Sequence, residues 1–161
     1  MFDSPAVKPL ILLLRLGLAW VFLYAASHQV LVPGWSVAGF LGSTKTFHWL
    51  FEPMTNPAIA GVLSFLVGYG HLLIGLSLLV GLMVRVSAMF GIALMLMYWM
   101  AHMDFPYISD VNNLLLDDHI IYALVLGLLI ATRAGHYFGL DGWAAGLAPV
   151  RRNKWLGWAT A

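Results

Sequence analysis

The chain has 161 residues, of which 61% are hydrophobic and only 9% are Asp, Glu, Lys or Arg. A water-soluble domain carries about 25% charged residues, so there is too little charge here to cover a solvated surface, and a chain this apolar is not disordered. The formal net charge of +1 lacks the basic footprint of a nucleic-acid binder. With no cysteine, disulfides, thiol-redox pairs, thiolate zinc, iron–sulfur ligation and c-type haem attachment through this chain are excluded. The composition is that of an integral membrane protein, all-α, and the length suits one four-helix bundle over 1–161.

Three stretches, 16–44, 53–84 and 86–103, carry no charge, and a spanning helix needs about 20 apolar residues. The first span is expected over about 9–32, closed by Pro33-Gly34. Within it, 16–24 followed by Ala25-Ala26-Ser27 has part of the form of a signal peptide; it is expected to be retained as a span. The loop 33–56 contains Trp35, Phe40, Phe47, Trp49, Leu50 and Phe51 among Gly, Ser and Thr. Aromatics at this density suit an amphipathic external segment in the headgroup layer, or a hydrophobic loop packed on the bundle.

The second span is expected over about 57–83, begun by Asn56-Pro57. Gly61, Ser64, Gly68, His71 and Gly75 fall at offsets of 3, 7, 10 and 14, one helical face. Small residues let another helix or a flat ligand approach. His71, near the middle, either hydrogen-bonds across a tight helix contact or serves an intramembrane ligand, up to the axial position of a tetrapyrrole. The third span, about 85–103, stops before Asp104 and Pro106. Its Met89, Met95, Met97, Met100 and Met103 form no single stripe and read as adaptable packing. The fourth span is expected over about 116–137, although only 119–132 is free of charge. The tail 149–161, with Arg151, Arg152, Lys154, Trp155 and Trp158, reads as a basic–aromatic anchor on the anionic inner leaflet.

Four spans put both termini on one side. That side holds Lys8, Arg15, Arg85, Arg133, Arg151, Arg152 and Lys154, and the other only Lys45 with Glu52, Asp104, Asp110, Asp117 and Asp118. Positive residues stay inside, so both termini are expected in the cytoplasm. Arg85, Arg133 and His136 then read as topology determinants and lipid contacts. Arg15 lies within the inner end of the first span, where a guanidinium snorkels or finds an acid. The acids on that side are Asp3 and Asp141, and an Arg15–Asp141 pair closing the bundle is expected.

The outer span ends gather His28, His102 and His119, with His48 in the loop and Asp104, Asp117 and Asp118 nearby. Tyr98 lies four residues before His102, and Tyr122 four after Asp118, so each pair shares a helix face. Such a cluster suits a quinone headgroup, which needs hydrogen bonds at both oxygens and a proton route to water. It also admits a nitrogen–oxygen metal site, though no diagnostic metal-ligand spacing is present, or simply wet helix ends. No span carries a charge near its centre, which argues against a channel or transporter.

Several pieces of the chain carry a family likeness: Arg15-Leu16-Gly17, Gly75-Leu76-Ser77-Leu78-Leu79-Val80-Gly81, Arg85-Val86-Ser87-Ala88, His102, Asp118-His119-Ile120-Ile121-Tyr122-Ala123 and Ala134-Gly135-His136-Tyr137-Phe138-Gly139-Leu140-Asp141. In this order they resemble the DoxX/DoxD membrane family over about 15–142. Its DoxD branch includes the small subunit of thiosulfate:quinone oxidoreductase. The resemblance implies a four-helix membrane bundle, a link to the quinone pool and often a partner subunit. This chain has Ala26-Ser27-His28-Gln29 where the family commonly carries a lysine, and its lack of cysteine sets it apart from thiol-redox relatives. Two readings follow. One is a quinone-linked oxidoreductase subunit in a bacterial or archaeal cytoplasmic membrane, with His28, His71, Tyr98, His102, Asp118, His119 and Tyr122 around the headgroup and a periplasmic electron donor. The other is a non-catalytic subunit packed against a larger membrane complex, holding lipid, quinone or pigment.

Overall fold

The computed structural model describes residues 6–161; Asp3 lies outside them. Four long helices dominate: α1 (Val7–Val30), α4 (Pro57–Val80), α5 (Val84–His102) and α6 (Asp118–Ala131). At 1.5 Å per residue, α1 and α4 are about 36 Å long and α5 about 28 Å, enough to cross a hydrocarbon core of about 30 Å. Three helices are long and apolar enough to span a membrane, and α6 is a shorter apolar helix. The expected fourth span is thus corrected. It begins at Asp118, capped by Asp117, and ends at Ala131 before Arg133 turns left-handed and the single 3₁₀ turn Ala134–His136 follows. The helix proper covers only about 21 Å.

The expected start of the second span holds. Asn56 caps α4 by accepting from the backbone N–H of Ala58, with Pro57 as first residue, where its missing N–H has no helical partner to lose. Gly81 ends α4 in the left-handed conformation, φ 69°, as a C-terminal glycine does.

In α1 the buried residues Ile11, Arg15, Leu18, Ala19, Phe22 and Ala26 follow a three-to-four spacing, one stripe facing the bundle. α1 packs chiefly on α4, and α5 on α6. Their core joins Leu18 and Phe22 to Ile74, Leu78, Ala88, Met95, Leu126 and Leu129. Outward, Leu13, Trp20, Val62, Phe65, Leu73, Phe90 and Leu124 are exposed. A monomer in water rarely shows so large an apolar surface; in a bilayer it is the lipid-facing side.

The expected small-residue face is only partly a helix contact. A side chain at Gly75 would meet Leu23 of α1 at 2.7 Å, and at Gly68 would meet Val30 at 3.4 Å, so both glycines let α1 and α4 close. Ser64 instead accepts from the backbone N–H of Val37 and donates to Ala60 O. Gly61 is exposed and faces open space. The reason is length: α1 ends at Val30, beside Gly68, and Gly61 lies about 10 Å further along α4.

Both long loops at this end fold. The first forms α2 (Ala38–Gly42), α3 (His48–Phe51) and a 3₁₀ turn, Glu52–Thr55. Val37, Leu41 and Phe51 bury themselves against Ala60 and Ala101 with Trp35, Phe40 and Phe47 around them, so this loop packs on the bundle, while Trp49 stays exposed. The second loop holds a small antiparallel sheet absent from the all-α expectation: β1 (Met103–Asp104), β2 (Tyr107–Ile108) and β3 (Asp110–Leu114), in that order. The loops are joined, since Thr46 N–H donates to Met103 O and Phe105 N–H donates to Thr46 Oγ1.

At the opposite end, Arg15 and Asp141 are both buried, 1% and 3% exposed, but they do not form the expected direct pair. The Arg15 guanidinium donates to the carbonyls of Ala134 at 2.7 Å, Tyr137 at 3.0 Å and Phe138 at 3.0 Å. Asp141, the first residue of α7 (Asp141–Ala144), accepts from the backbone N–H of Met83 at 2.6 Å and of Val84 at 3.1 Å. Asp141 thus serves orphan N–H groups at the start of α5, Arg15 gathers carbonyls of the segment that follows α6, and the two charges attract each other across the cluster without touching. Glycines make the room. A side chain at Gly81 would meet the Arg15 guanidinium at 2.6 Å, and one at Gly139 would meet it at 2.7 Å.

The tail forms α8 (Ala148–Arg152) and α9 (Lys154–Ala159), and it folds back on this same end. Arg85 donates to Trp158 O and lies over its ring, while His136 Nε2–H donates to Thr160 O. Those two residues hold the tail rather than serving only as lipid contacts. Arg151, Arg152, Lys154 and Trp155 remain exposed.

Candidate functional site

The halves of the four long helices remote from Arg15 and Asp141 line a half-open cavity of about 260 Å³. α1 lines it with Val21, Phe22, Ala25 and Gln29, α4 with His71, α5 with Met95, Tyr98 and His102, and α6 with Asp118, His119 and Tyr122. The spacings explain the membership. Residues 22, 25 and 29 lie at i, i+3 and i+7 of α1, and 95, 98 and 102 at i, i+3 and i+7 of α5, one face in each.

Of the residues expected around a ligand, His71, Tyr98, His102, Asp118, His119 and Tyr122 come together here. His28 does not. One residue is a turn of about 100° around a helix, so Gln29 faces the cavity while His28 joins an exposed stripe with Trp20 and Tyr24. Its Nδ1–H donates to Tyr24 O at 3.0 Å. His48 is exposed beside Thr44. Asp104 also lies outside, paired at the surface with Lys45 at 2.6 Å.

The rings of the site form a ladder. His71 lies 5.7 Å from Tyr98 between centroids, Tyr98 5.6 Å from His119, and His119 5.0 Å from His102. The last two contacts are stacked, with planes 15° and 25° apart. Phe22 packs on His71 at 5.6 Å, and Phe40 of α2 roofs the ladder 4.9 Å from His102. His71 is 3% exposed, so the ladder runs from the bundle interior to the outer rim.

Each imidazole is held by Nδ1. Carbonyls only accept, so the His71 Nδ1–H donates to Val67 O at 2.9 Å and the His102 Nδ1–H to Tyr98 O at 2.9 Å. His119 is fixed differently. Asp117, 8% exposed, accepts from the His119 backbone N–H at 3.1 Å and from Nδ1–H at 2.7 Å. One carboxylate therefore caps α6 and sets the ring, a carboxylate–histidine dyad beside the cavity. Asp118 is exposed, 3.4 Å from the same Nδ1. The Gln29 side chain meets the Tyr98 hydroxyl, yet its amide oxygen is buried without a hydrogen-bond partner. An orphaned buried acceptor costs about 1–3 kcal/mol.

Asp117, Asp118 and His119 present ligand atoms within 4.8 Å of one another. The Asp117–His119 hydrogen bond already explains that cluster. Stacked rings such as His102 and His119 do not aim both lone pairs at one ion, as shared coordination requires.

Gln29 is the site residue that sequence reasoning missed. Asp117 is expected near the histidine cluster and Phe40 among the loop aromatics; what the expectation lacks is the capping role of Asp117, signalled by an Asp immediately before an apolar helical run. Nothing in the pattern singles out Gln29 except its phase with Phe22 and Ala25.

Residues 10–103 match the family model DoxX. That region takes in α1, both short loop helices, α4 and α5, and it contains Gln29, His71, Tyr98 and His102. Comparison with curated proteins and with solved structures yields no match.

Proposed function

The chain belongs to the DoxX family, and from that premise we propose that it is a membrane subunit of a quinone-linked oxidoreductase, with the headgroup held in the outer cavity. The observation that carries this reading is the convergence of three imidazoles, two phenols and a carboxylate from three helices on one half-open cavity. Pockets for drug-sized ligands run to roughly 300–1,000 Å³. At about 260 Å³ the cavity matches a single ring, with an isoprenoid tail left in lipid. The ring ladder supplies protonatable groups from the headgroup to the outer surface. In quinone reduction two electrons and two protons enter the ring's oxygens. His102 and His119 stand where those protons would be exchanged, with Asp117 orienting His119. A sulfur oxyanion such as thiosulfate is the proposed periplasmic donor; two thiosulfate ions joined by a new S–S bond release the two electrons.

On this reading the protein sits in a bacterial or archaeal cytoplasmic membrane with both termini inside. Lys and Arg crowd the end that carries Arg15, Arg85, Arg133 and the tail, as positive-inside topology requires. The test is purification from native membranes with assay of quinone and of thiosulfate-dependent quinone reduction. Co-purified quinone, with activity falling about 10²-fold or more in His119→Ala, is the expected result; unchanged activity in His102→Ala and His119→Ala overturns it.

One observation favours a non-catalytic role within a larger complex. The second external loop exposes Phe105, Val111, Leu114, Leu115 and Leu116, an apolar surface suited to a partner subunit. Stoichiometric recovery in a larger assembly, unaffected by those histidine changes, would decide for this role.

A further inference from the structure

We propose that the outer cavity is built to hold the reduced, hydroxyl-bearing form of its ring ligand, a hydroquinone, in preference to the quinone; this rests on the quinone reading given above. The argument is one of hydrogen-bond polarity. In a neutral imidazole one nitrogen donates and the other accepts. At His71 and His102 the donor is spent on a carbonyl of the ring's own helix, and at His119 on Asp117. Each ring therefore keeps Nε2 as an acceptor, and among the described residues none of these three atoms has a hydrogen-bond partner. Gln29 adds a fourth acceptor, its buried and unpaired amide oxygen.

Against these stand the hydroxyls of Tyr98 and Tyr122 and the Gln29 amide, whose N–H donates to the Tyr98 oxygen. A quinone brings two carbonyl acceptors into a space rich in acceptors and leaves most of them unmatched. A hydroquinone of the same shape brings two O–H donors. A space lined by imidazole acceptors favours a ligand that brings O–H donors, and sites built to bind a hydroxyl reject the analogue that lacks one. The same polarity favours the form in which a quinone would leave after taking up two electrons and two protons. A site that binds the reduced form more tightly raises the potential of the bound couple and draws the ring toward reduction.

The experiment uses the full chain in lipid nanodiscs, under anaerobic conditions, with a short-tailed ubiquinone and its matched quinol. Affinity is measured by equilibrium dialysis and the midpoint potential by redox titration. The expected result is quinol binding at least about tenfold tighter than quinone, with the bound two-electron couple raised by about 30 mV or more. Gln29→Leu should reduce the ratio of quinol to quinone affinity; thermal melting checks that this variant is folded. Equal affinities, or tighter quinone binding, overturn the inference while the quinone reading stands. Binding of neither form overturns both.

Discussion

The inner end of the bundle offers a test that separates two ways of using a buried charge. Arg15 holds three carbonyls and Asp141 two backbone N–H groups. Arg15→Leu strips Tyr137 O and Phe138 O of their donor, at about 1–3 kcal/mol each if left dry, leaves Ala134 O with only the Tyr137 N–H, and leaves Asp141 without its nearby countercharge. Such losses are not additive, and breaking one member of a buried ionic cluster costs about 3–5 kcal/mol. For a chain of this size 1 kcal/mol moves the melting temperature by about 2–4 °C, so a fall of about 6–20 °C is expected. Arg15→Lys should recover little, because one ammonium does not reproduce the fork that spans three carbonyls. The decisive variant is the exchange Arg15→Asp/Asp141→Arg. A direct ion pair would survive the exchange. Two backbone clamps would not, since a carboxylate would then face carbonyls and a guanidinium would face N–H groups. The expected double variant is at least as unstable as either single one, measured by thermal unfolding in detergent at one scan rate. Recovery to within about 3 °C of the natural protein, or an Arg15→Leu that melts normally, would refute the clamp.

Gly75→Ala should destabilise by about 1–3 kcal/mol through overpacking, because the new Cβ lands 2.7 Å from Leu23 Cγ; Leu23→Ala in the same chain should relieve part of it, read by the same melts. Gly135→Ala should be worse than Gly61→Ala, since the first places a Cβ 2.0 Å from Asp141 Oδ2 and the second meets nothing within 4 Å. Asp117→Ala should cost about 0.5–2 kcal/mol as a lost cap and also weaken ligand binding. Asp117→Asn should keep the cap but offer an amide donor to His119 Nδ1, reversing the ring's tautomer and lowering quinol affinity more than stability. Lys45→Ala should shift the melting temperature by no more than about 2 °C, because its pair with Asp104 is mostly exposed and such pairs contribute about 0–1 kcal/mol.

The spans are legible in the sequence because lipid tolerates so few charges that their absence marks the helices directly. Asn56-Pro57 reads as a start and is one. The fourth helix is less legible. Arg133 and the aspartates bound its apolar stretch at both ends, and the chain leaves the α-helix at Thr132. The sheet of 103–114 left no trace, as strands of two to five residues are too short to show a period. The nearness of Arg15 and Asp141 is legible from charge placement alone. Their partners are not, because unpaired carbonyls and N–H groups at helix ends never appear in a tally of side-chain charges.

The cavity shows the same division at finer grain. Histidines at span ends point to a common rim, and helical spacing pairs Tyr98 with His102, but whether a rim residue faces inward depends on phase. Phe22, Ala25 and Gln29 share the inward face, and His28, one step on, falls on the exposed aromatic stripe. A count of histidines therefore overstates the imidazole content of the site and passes over the amide that completes it. The count also says nothing of polarity. Polarity comes from what Nδ1 meets, a carbonyl four residues back for His71 and His102 and a capping carboxylate for His119. In a helix the carbonyl four residues earlier lies under the side chain that follows it, so this tautomer is a local consequence of placing histidine at least one turn into a helix on the cavity-facing side. The acceptor character of the cavity follows from helix geometry once the inward positions are known. A histidine moved by one position would lose the cavity along with its role there.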